Sequence, residues 1–199
     1  MVREVRKAIG DDMELMVDSN HAYNLREAIK LSKSIEEYDI GWFEPPVSPE
    51  FYNQYAELRN AIIIPIAGGE CEYLRCGFHP LLRTNAVDIA QPDIAACSGL
   101  TEVKKISALT STYGKEIVHH SWGTYIAISA AMHFISNLDN VPGRMFNSNF
   151  WMEHDRTDNE LRDKVTIPDF EVKNGEIKVS DKPGLGVGID EDALKRFCK

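Results

Sequence analysis

The sequence predicts an α/β chain built as a partial (β/α)8 TIM-type barrel, with about six of the eight strand–helix units present. Three observations carry that expectation. Short apolar runs alternate with amphipathic helical segments at intervals of about 25 residues, the pattern of a parallel sheet with crossover helices. Each run leads into an acid or a histidine: Asp18, Glu44, Glu70, Asp93, His120 and Glu153. An open doubly wound sheet gathers its functional side chains at one switch point, whereas a barrel turns all its strand ends into one mouth.

The elements follow in order. Val2, Val5 and Ile9 share one helical face, and Gly10 supplies a stop. Residues 15–17 form a short strand. Asn24 with Glu27 three residues on reads as a capping box, opening a helix whose face carries Leu25, Ala28, Ile29, Ser32 and Ile35. A strand over 40–43 runs into Glu44-Pro45-Pro46, which cannot continue a ladder. Ser48-Pro49 predicts a helix cap with proline at the first position, and Phe51, Tyr55 and Leu58 its buried stripe. Residues 62–67, rich in β-branched side chains, predict the next strand.

A short helix over 78–83 and a strand over 87–90 come next, the latter leading into Gln91-Pro92-Asp93. A helix over 100–113 faces inward through Val103, Ile106 and Leu109. Strand 116–118 leads into His119-His120-Ser121-Trp122, and 125–138 is the most apolar helix, expected to be covered on several sides. The last candidate strand, 149–152, leads into Glu153. From 170 to 179 the pattern becomes a hairpin with an Asn-Gly turn, followed by Pro183-Gly184-Leu185-Gly186 and a short helix. The expected division is a barrel part over 1–165 and a C-terminal hairpin and helix over 166–199 that packs on the barrel or capping region.

Composition narrows the function classes. A chain of 199 residues can bury one good core. The net charge of -9 argues against nucleic acid as the main partner, since a phosphate-binding surface needs a basic excess. No apolar run is long enough to cross a membrane and no signal peptide is present, so the expectation is a soluble chain without a membrane partner. The four cysteines lack zinc-like spacing, which points to a reducing cytoplasm.

Singly, each strand-end residue has an ordinary explanation as a cap, turn or core residue. Their register argues otherwise. Asp18 and Glu44 are 26 residues apart, and so are Glu44 and Glu70. On consecutive strands they fall on one arc of the mouth, where three crowded carboxylates raise each other's pKa unless a cation relieves them. Oxygen-only ligands with room for water and substrate suit Mg2+. On the next two strands, Asp93 can hydrogen-bond His120, orient its ring and raise its basicity. A cation facing such a pair suits removal of the proton α to a chelated carboxylate by His120, with the enediolate stabilised electrostatically. Glu153, held protonated, could hydrogen-bond the same carboxylate.

Taken together, these residues resemble the barrel domain of the mandelate racemase/muconate lactonizing enzyme family, in the enolase superfamily. The matching motifs are Val17-Asp18-Ser19-Asn20, Trp42-Phe43-Glu44-Pro45, Gly68-Gly69-Glu70, Gln91-Pro92-Asp93, His120-Ser121-Trp122-Gly123 and Pro183-Gly184-Leu185-Gly186. The resemblance implies that Asp18, Glu44 and Glu70 bind Mg2+, that His120 and Asp93 form the base dyad, and that Glu153 contacts the substrate carboxylate or nascent enolate. It places Asn20 and Trp122 beside the substrate. The His120 pattern with Asp-x-Asn after the third strand is most similar to the mandelate racemase subgroup, which implies an acid-sugar dehydratase, with a racemase or epimerase as the alternative. His119, where the family often has proline, is expected to be a core histidine without a catalytic role.

The resemblance also implies what is missing. Family members carry an N-terminal capping domain and two further barrel strands, the second with a Lys-x-Lys acid/base motif. This chain starts within the helix expected after that strand. A truncated gene product, an isolated fragment and a piece completed by another polypeptide are the three explanations. Open parallel edges predict self-association into a homo-oligomer. A catalytically incomplete barrel without activity of its own is the alternative from a different class.

Overall fold

The computed structural model describes residues 1–139 and 150–198. Helix α1 (Val2–Ile9) ends at Gly10, whose φ of 75° lies in the left-handed region. Strand β1 (Leu15–Asp18) then leads to α2 (Leu25–Ile35), capped reciprocally by Asn24 and Glu27 as the sequence predicts. A 3-10 turn over Glu36–Tyr38 delivers the chain to β2 (Ile40–Glu44). The alternation continues through α3 (Tyr52–Ala61), β3 (Ala67–Gly68), α4 (Leu74–Arg83), β4 (Ile89–Ala90), α5 (Leu100–Thr112), β5 (Glu116–Ile117) and α6 (Tyr125–Ile135).

The strands form one parallel arc. β1 pairs with β2, a Phe43–Ile66 bridge joins β2 to the approach of β3, and β3, β4 and β5 pair in order. The arc extends past the strand ends through bridges between Asp93 and His120 and between His119 and Met152. These are consecutive staves of a partial TIM-type barrel. Of the last predicted strand, Asn149 lies outside the described residues, and only Met152 pairs.

Side chains on the strands alternate between two faces. Val17, Phe43, Ile66, Ala90 and Ile117 join the large core against the helices, with Leu58, Phe78, Leu82, Val103 and Ile106. Met16, Trp42, Ala67, Ile89 and Val118 form a second, inner cluster. Two residues on from this inner set, the alternation reaches Asp18, Glu44, Gln91 and His120. Period-two geometry therefore turns those residues toward the interior of the mouth.

Three local expectations are corrected. The predicted strand over 62–67 is mostly irregular, and Ile63 is exposed. Pro65 has no N–H to donate, and the Ile66 N–H goes to the Asp88 carboxylate at 3.1 Å instead of a strand. Helix α3 starts at Tyr52 rather than after Ser48-Pro49. A turn closed by the Phe51 N–H donating to Ser48 O intervenes and leaves Phe51 exposed. On α1, Val5 is exposed rather than buried, while Val2 packs against the large core.

Beyond the barrel, α7 (Glu160–Val165) runs directly into β6 (Thr166–Pro168), which pairs antiparallel with β9 (Val187–Ile189). Between them lies the hairpin of β7 (Val172–Lys173) and β8 (Glu176–Ile177). Its Asn174-Gly175 turn has φ of 54° and 78°, the two left-handed residues of a type I′ turn. Helix α8 (Glu191–Phe197) closes the segment. The segment is anchored to α6 through β6 and Phe170: the Tyr125 N–H donates to Thr166 Oγ1, and the Tyr125 and Phe170 rings meet edge to face at 5.6 Å.

Candidate active site

Backbone pairing sets the first two acids side by side. Asp18 and Glu44 are register partners, and the Ser19 N–H donates to Glu44 O at 2.6 Å. The pairing continues past the strands as the His21 N–H donates to Pro45 O. To follow it, Asn20 and His21 both take left-handed conformations, with φ of 42° and 60°. For a histidine this is strained backbone, held by the surrounding hydrogen bonds. The Asn20 N–H donates to Asp18 Oδ1 at 2.8 Å, so Asn20 sits directly above that carboxylate.

Glu44 is orchestrated by its own face of the strand. Trp42 Nε1 donates to Glu44 Oε2 at 2.9 Å, and the Gln91 side chain bonds the same carboxyl. Burial raises the pKa of Glu44, and the nearby charges of Asp18 and Glu70 add to the rise. At Glu44 burial is the larger cause and the two neighbouring carboxylates the smaller, and a cation would relieve both.

Glu70 reaches the site by a different route. Counting two by two from Ala67 would put Gly69, not Glu70, on the inner face. Gly69 has φ of 124°, and a Cβ there would meet Phe78 Cε1 at 2.8 Å. Only glycine allows this turn. Glu70 then receives a histidine on each oxygen: His21 Nε2 lies 3.1 Å from Oε1 and His120 Nε2 lies 3.4 Å from Oε2.

His120 is the centre of the opposite wall. Its Nδ1 donates to Asp93 Oδ2 at 2.8 Å, while Asp93 Oδ1 accepts from the N–H groups of Ala95 and Ala96. Burial would raise Asp93, but these hydrogen bonds outweigh it and hold the carboxyl below its usual range. For His120, burial opposes the charge, yet Asp93, Glu153 and Glu70 together raise its pKa to about 9. Glu153 Oε2 accepts from the Ser121 N–H at 2.6 Å. Burial raises the Glu153 pKa against the lowering by the Ser121 N–H and His120, with Glu44 and Glu70 adding to the rise.

The six strand-end residues of the sequence reading therefore meet in one mouth. Asp18, Glu44 and Glu70 could hold a divalent cation, opposite His120, Asp93 and Glu153. Trp122 stands on the rim, 67% exposed. Among the described residues, the tightest cluster of potential metal ligands is a different trio: His21, Glu70 and Cys71, whose ligand atoms lie within 4.8 Å of one another.

Two neighbours of the acids escaped the sequence reading. Gln91 is buried beside Glu44, and its signal was available in the two-residue step from the inner Ile89. His21 carried no periodic signal, because its position depends on two consecutive left-handed residues. His119, expected as a core histidine, is 1% exposed and accepts the Ile94 N–H on Nε2 at 2.9 Å. It packs against Phe134 and braces the turn that carries Asp93.

Residues 1–193 match the family described as Enolase C-terminal domain-like. The D-galactarolactone cycloisomerase of Agrobacterium fabrum (strain C58) is 43% identical over 197 residues, covering 99% of this chain and 52% of that protein. The arabinonate dehydratase of Saccharolobus solfataricus is 31% identical over 199 residues, covering 100% of this chain and 51% of the relative. Among solved structures, the 3,6-anhydro-D-galactonate cycloisomerase from Zobellia galactanivorans has a TM-score of 0.92 and 53% identity, covering 98% of this chain and 53% of that one. The chain spans about half the length of the relatives it matches.

Proposed function

The chain belongs to the Enolase C-terminal domain-like family, and from that premise we propose that it forms part of an enzyme acting on acid sugars. The enzyme removes the proton α to the substrate carboxylate and expels the oxygen on the β-carbon. The observation that carries this reading is the 2.8 Å His120–Asp93 pair, facing Glu70 with Glu153 beside it. Asp93 holds the ring through the Nδ1 proton and turns Nε2 toward the mouth, and with Nε2 deprotonated its lone pair is presented to the substrate. His120 Nε2 takes the α-proton, and the same nitrogen then returns it to the departing oxygen. Glu153, whose pKa burial raises, donates in its protonated form to a carboxylate oxygen as negative charge builds there.

Asp18, Glu44 and Glu70 are the residues that would hold Mg2+, and their all-oxygen donor set and the charges of Asp18 and Glu70 acting on Glu44 fit that ion. Bound there, it would polarise the substrate carboxylate and make the α-proton more acidic. Asn20 and Trp122 are assigned to the substrate from their places beside Asp18 and on the rim.

One chemistry serves two outcomes. If the β-oxygen is a hydroxyl, water leaves and the enzyme is a dehydratase. If that oxygen belongs to a ring, the ring opens, no atoms are lost and the reaction is an isomerisation. The cycloisomerases at 43% and 53% identity, against 31% for the arabinonate dehydratase, favour the ring-opening outcome. Four free cysteines fit a reducing cytoplasm, and the unpaired outer edge of β1 among the described residues fits self-association.

The test is incubation of the protein with Mg2+ and a panel of open-chain and ring-containing acid sugars in D2O, followed by NMR. Formation of a 2-keto-3-deoxy product, lost in His120→Asn, supports the reading. Deuterium at the α-carbon with inversion and no elimination would make it a racemase. An inert chain across the panel would leave the incomplete-barrel alternative.

A further inference from the structure

His21 sits at the edge of the proposed site with an unusual arrangement of its ring. Its Nδ1 lies 3.0 Å from Val47 O, and a carbonyl only accepts, so Nδ1 carries a proton. The other nitrogen, Nε2, faces Glu70 Oε1 at 3.1 Å and Cys71 Sγ at 3.5 Å. A histidine that gives one N–H to a backbone carbonyl and turns its second nitrogen to a carboxylate and a thiol has the arrangement of a metal ligand. An imidazolium paired with Glu70 would account for the carboxylate but not for the sulfur on the same nitrogen.

The distances agree with one ion. Zinc bonds of about 2.0–2.1 Å to nitrogen and about 2.3 Å to sulfur, at a tetrahedral angle, separate those ligands by about 3.6 Å. Nitrogen and carboxylate oxygen would stand about 3.4 Å apart by the same construction. The observed 3.5 Å and 3.1 Å need only movements of a few tenths of an ångström, and the Cys71 side chain is exposed. Left-handed backbone at His21 costs energy, and directing this ring is what it achieves.

We propose that His21 Nε2, Cys71 Sγ and Glu70 Oε1 form a site for a thiophilic divalent cation of the zinc class, completed by water. Nitrogen, thiolate and carboxylate together select zinc over Mg2+, and the bound metal displaces the thiol proton. The site shares Glu70 with the carboxylate set. Resting on the Mg2+ reading above, zinc and Mg2+ then exclude one another, and zinc inhibits.

The test uses chelator-stripped protein titrated with ZnCl2 by calorimetry and with CoCl2 by absorbance. One zinc per chain is expected, with affinity falling at least tenfold in Cys71→Ser and in His21→Gln. Cobalt should give a thiolate charge-transfer band that vanishes in Cys71→Ser and persists in Cys76→Ser and Cys198→Ser. Unfolding curves of each variant check that the fold is retained. Zinc affinity unchanged by Cys71→Ser, or no thiolate band, overturns the proposal. If the band depends on Cys71 but excess MgCl2 does not weaken zinc binding, the zinc site stands and the Mg2+ reading falls.

Discussion

Asp93 Oδ2 accepts a 2.8 Å hydrogen bond from His120 Nδ1, while its other oxygen is clamped by the backbone of its own turn. The pair is thus rigid on the carboxylate side, and the imidazole is aimed rather than merely present. In Asp93→Asn the amide keeps the shape but no longer stabilises an imidazolium or enforces one tautomer. Turnover of an acid-sugar substrate is expected to fall about 10²- to 10⁴-fold. KM should change much less, which separates a chemical role from lost binding.

Removing a carboxylate from the arc should weaken Mg2+. Glu44→Gln and Asp18→Asn are each expected to reduce Mg2+ affinity at least tenfold, or about 1.4 kcal/mol. Calorimetric titration with MgCl2 measures this. Equal affinity in wild type and both variants would sink the assignment of these residues as ligands.

His119 makes stability depend on pH in a defined direction. Burial lowers its pKa from 6.5 to about 4, and Nε2 must stay unprotonated to accept the Ile94 N–H. Below 6.5 the unfolded chain binds a proton that the folded one refuses, so this group's contribution to stability falls as the pH drops toward 4. Once the folded state also titrates, the slope ends. The full effect is roughly 3 kcal/mol. Urea unfolding of wild type and His119→Gln across this range should converge on acidification, as wild type loses the advantage it has near neutrality.

The capping box at Asn24 is a local device with a local cost. Asn24→Ala leaves the Glu27 N–H without its side-chain acceptor and removes half of a reciprocal pair. About 1 kcal/mol of stability should be lost, read as a lower urea midpoint at unchanged slope.

Phe43 ties the acid-bearing β2 to the helical layer. It is fully buried and its backbone bridges to Ile66. Phe43→Ala should cost about 3–5 kcal/mol. That is a large share of a typical domain's stability, so a lowered thermal midpoint is the readout.

The outline of this site was legible because its carriers are local. Apolar runs of a few residues, each closed by an acid or histidine, point Asp18, Glu44 and His120 inward, since period-two alternation carries them from Met16, Trp42 and Val118. The Asn24–Glu27 box and the Asn174-Gly175 turn were equally readable, because each is complete within four residues. By contrast, the stretch before Ala67 looked like a strand by composition. The Asp88 carboxylate, remote in sequence, takes the Ile66 N–H instead.

By itself, then, the sequence determined the alternating parallel architecture, the caps and turns, and the list of acids and bases that share one mouth. Periodicity and short-range hydrogen bonding encode these directly. Only the tertiary structure decided how Glu70 enters, through the left-handed turn at Gly69 against Phe78, and that His21 joins it beside Cys71. Those placements depend on positive φ angles and on partners such as Val47, Pro45 and Gln91 that lie far along the chain. No local pattern records them, because the energy that holds them comes from contacts that exist only once the strands of the arc have packed side by side.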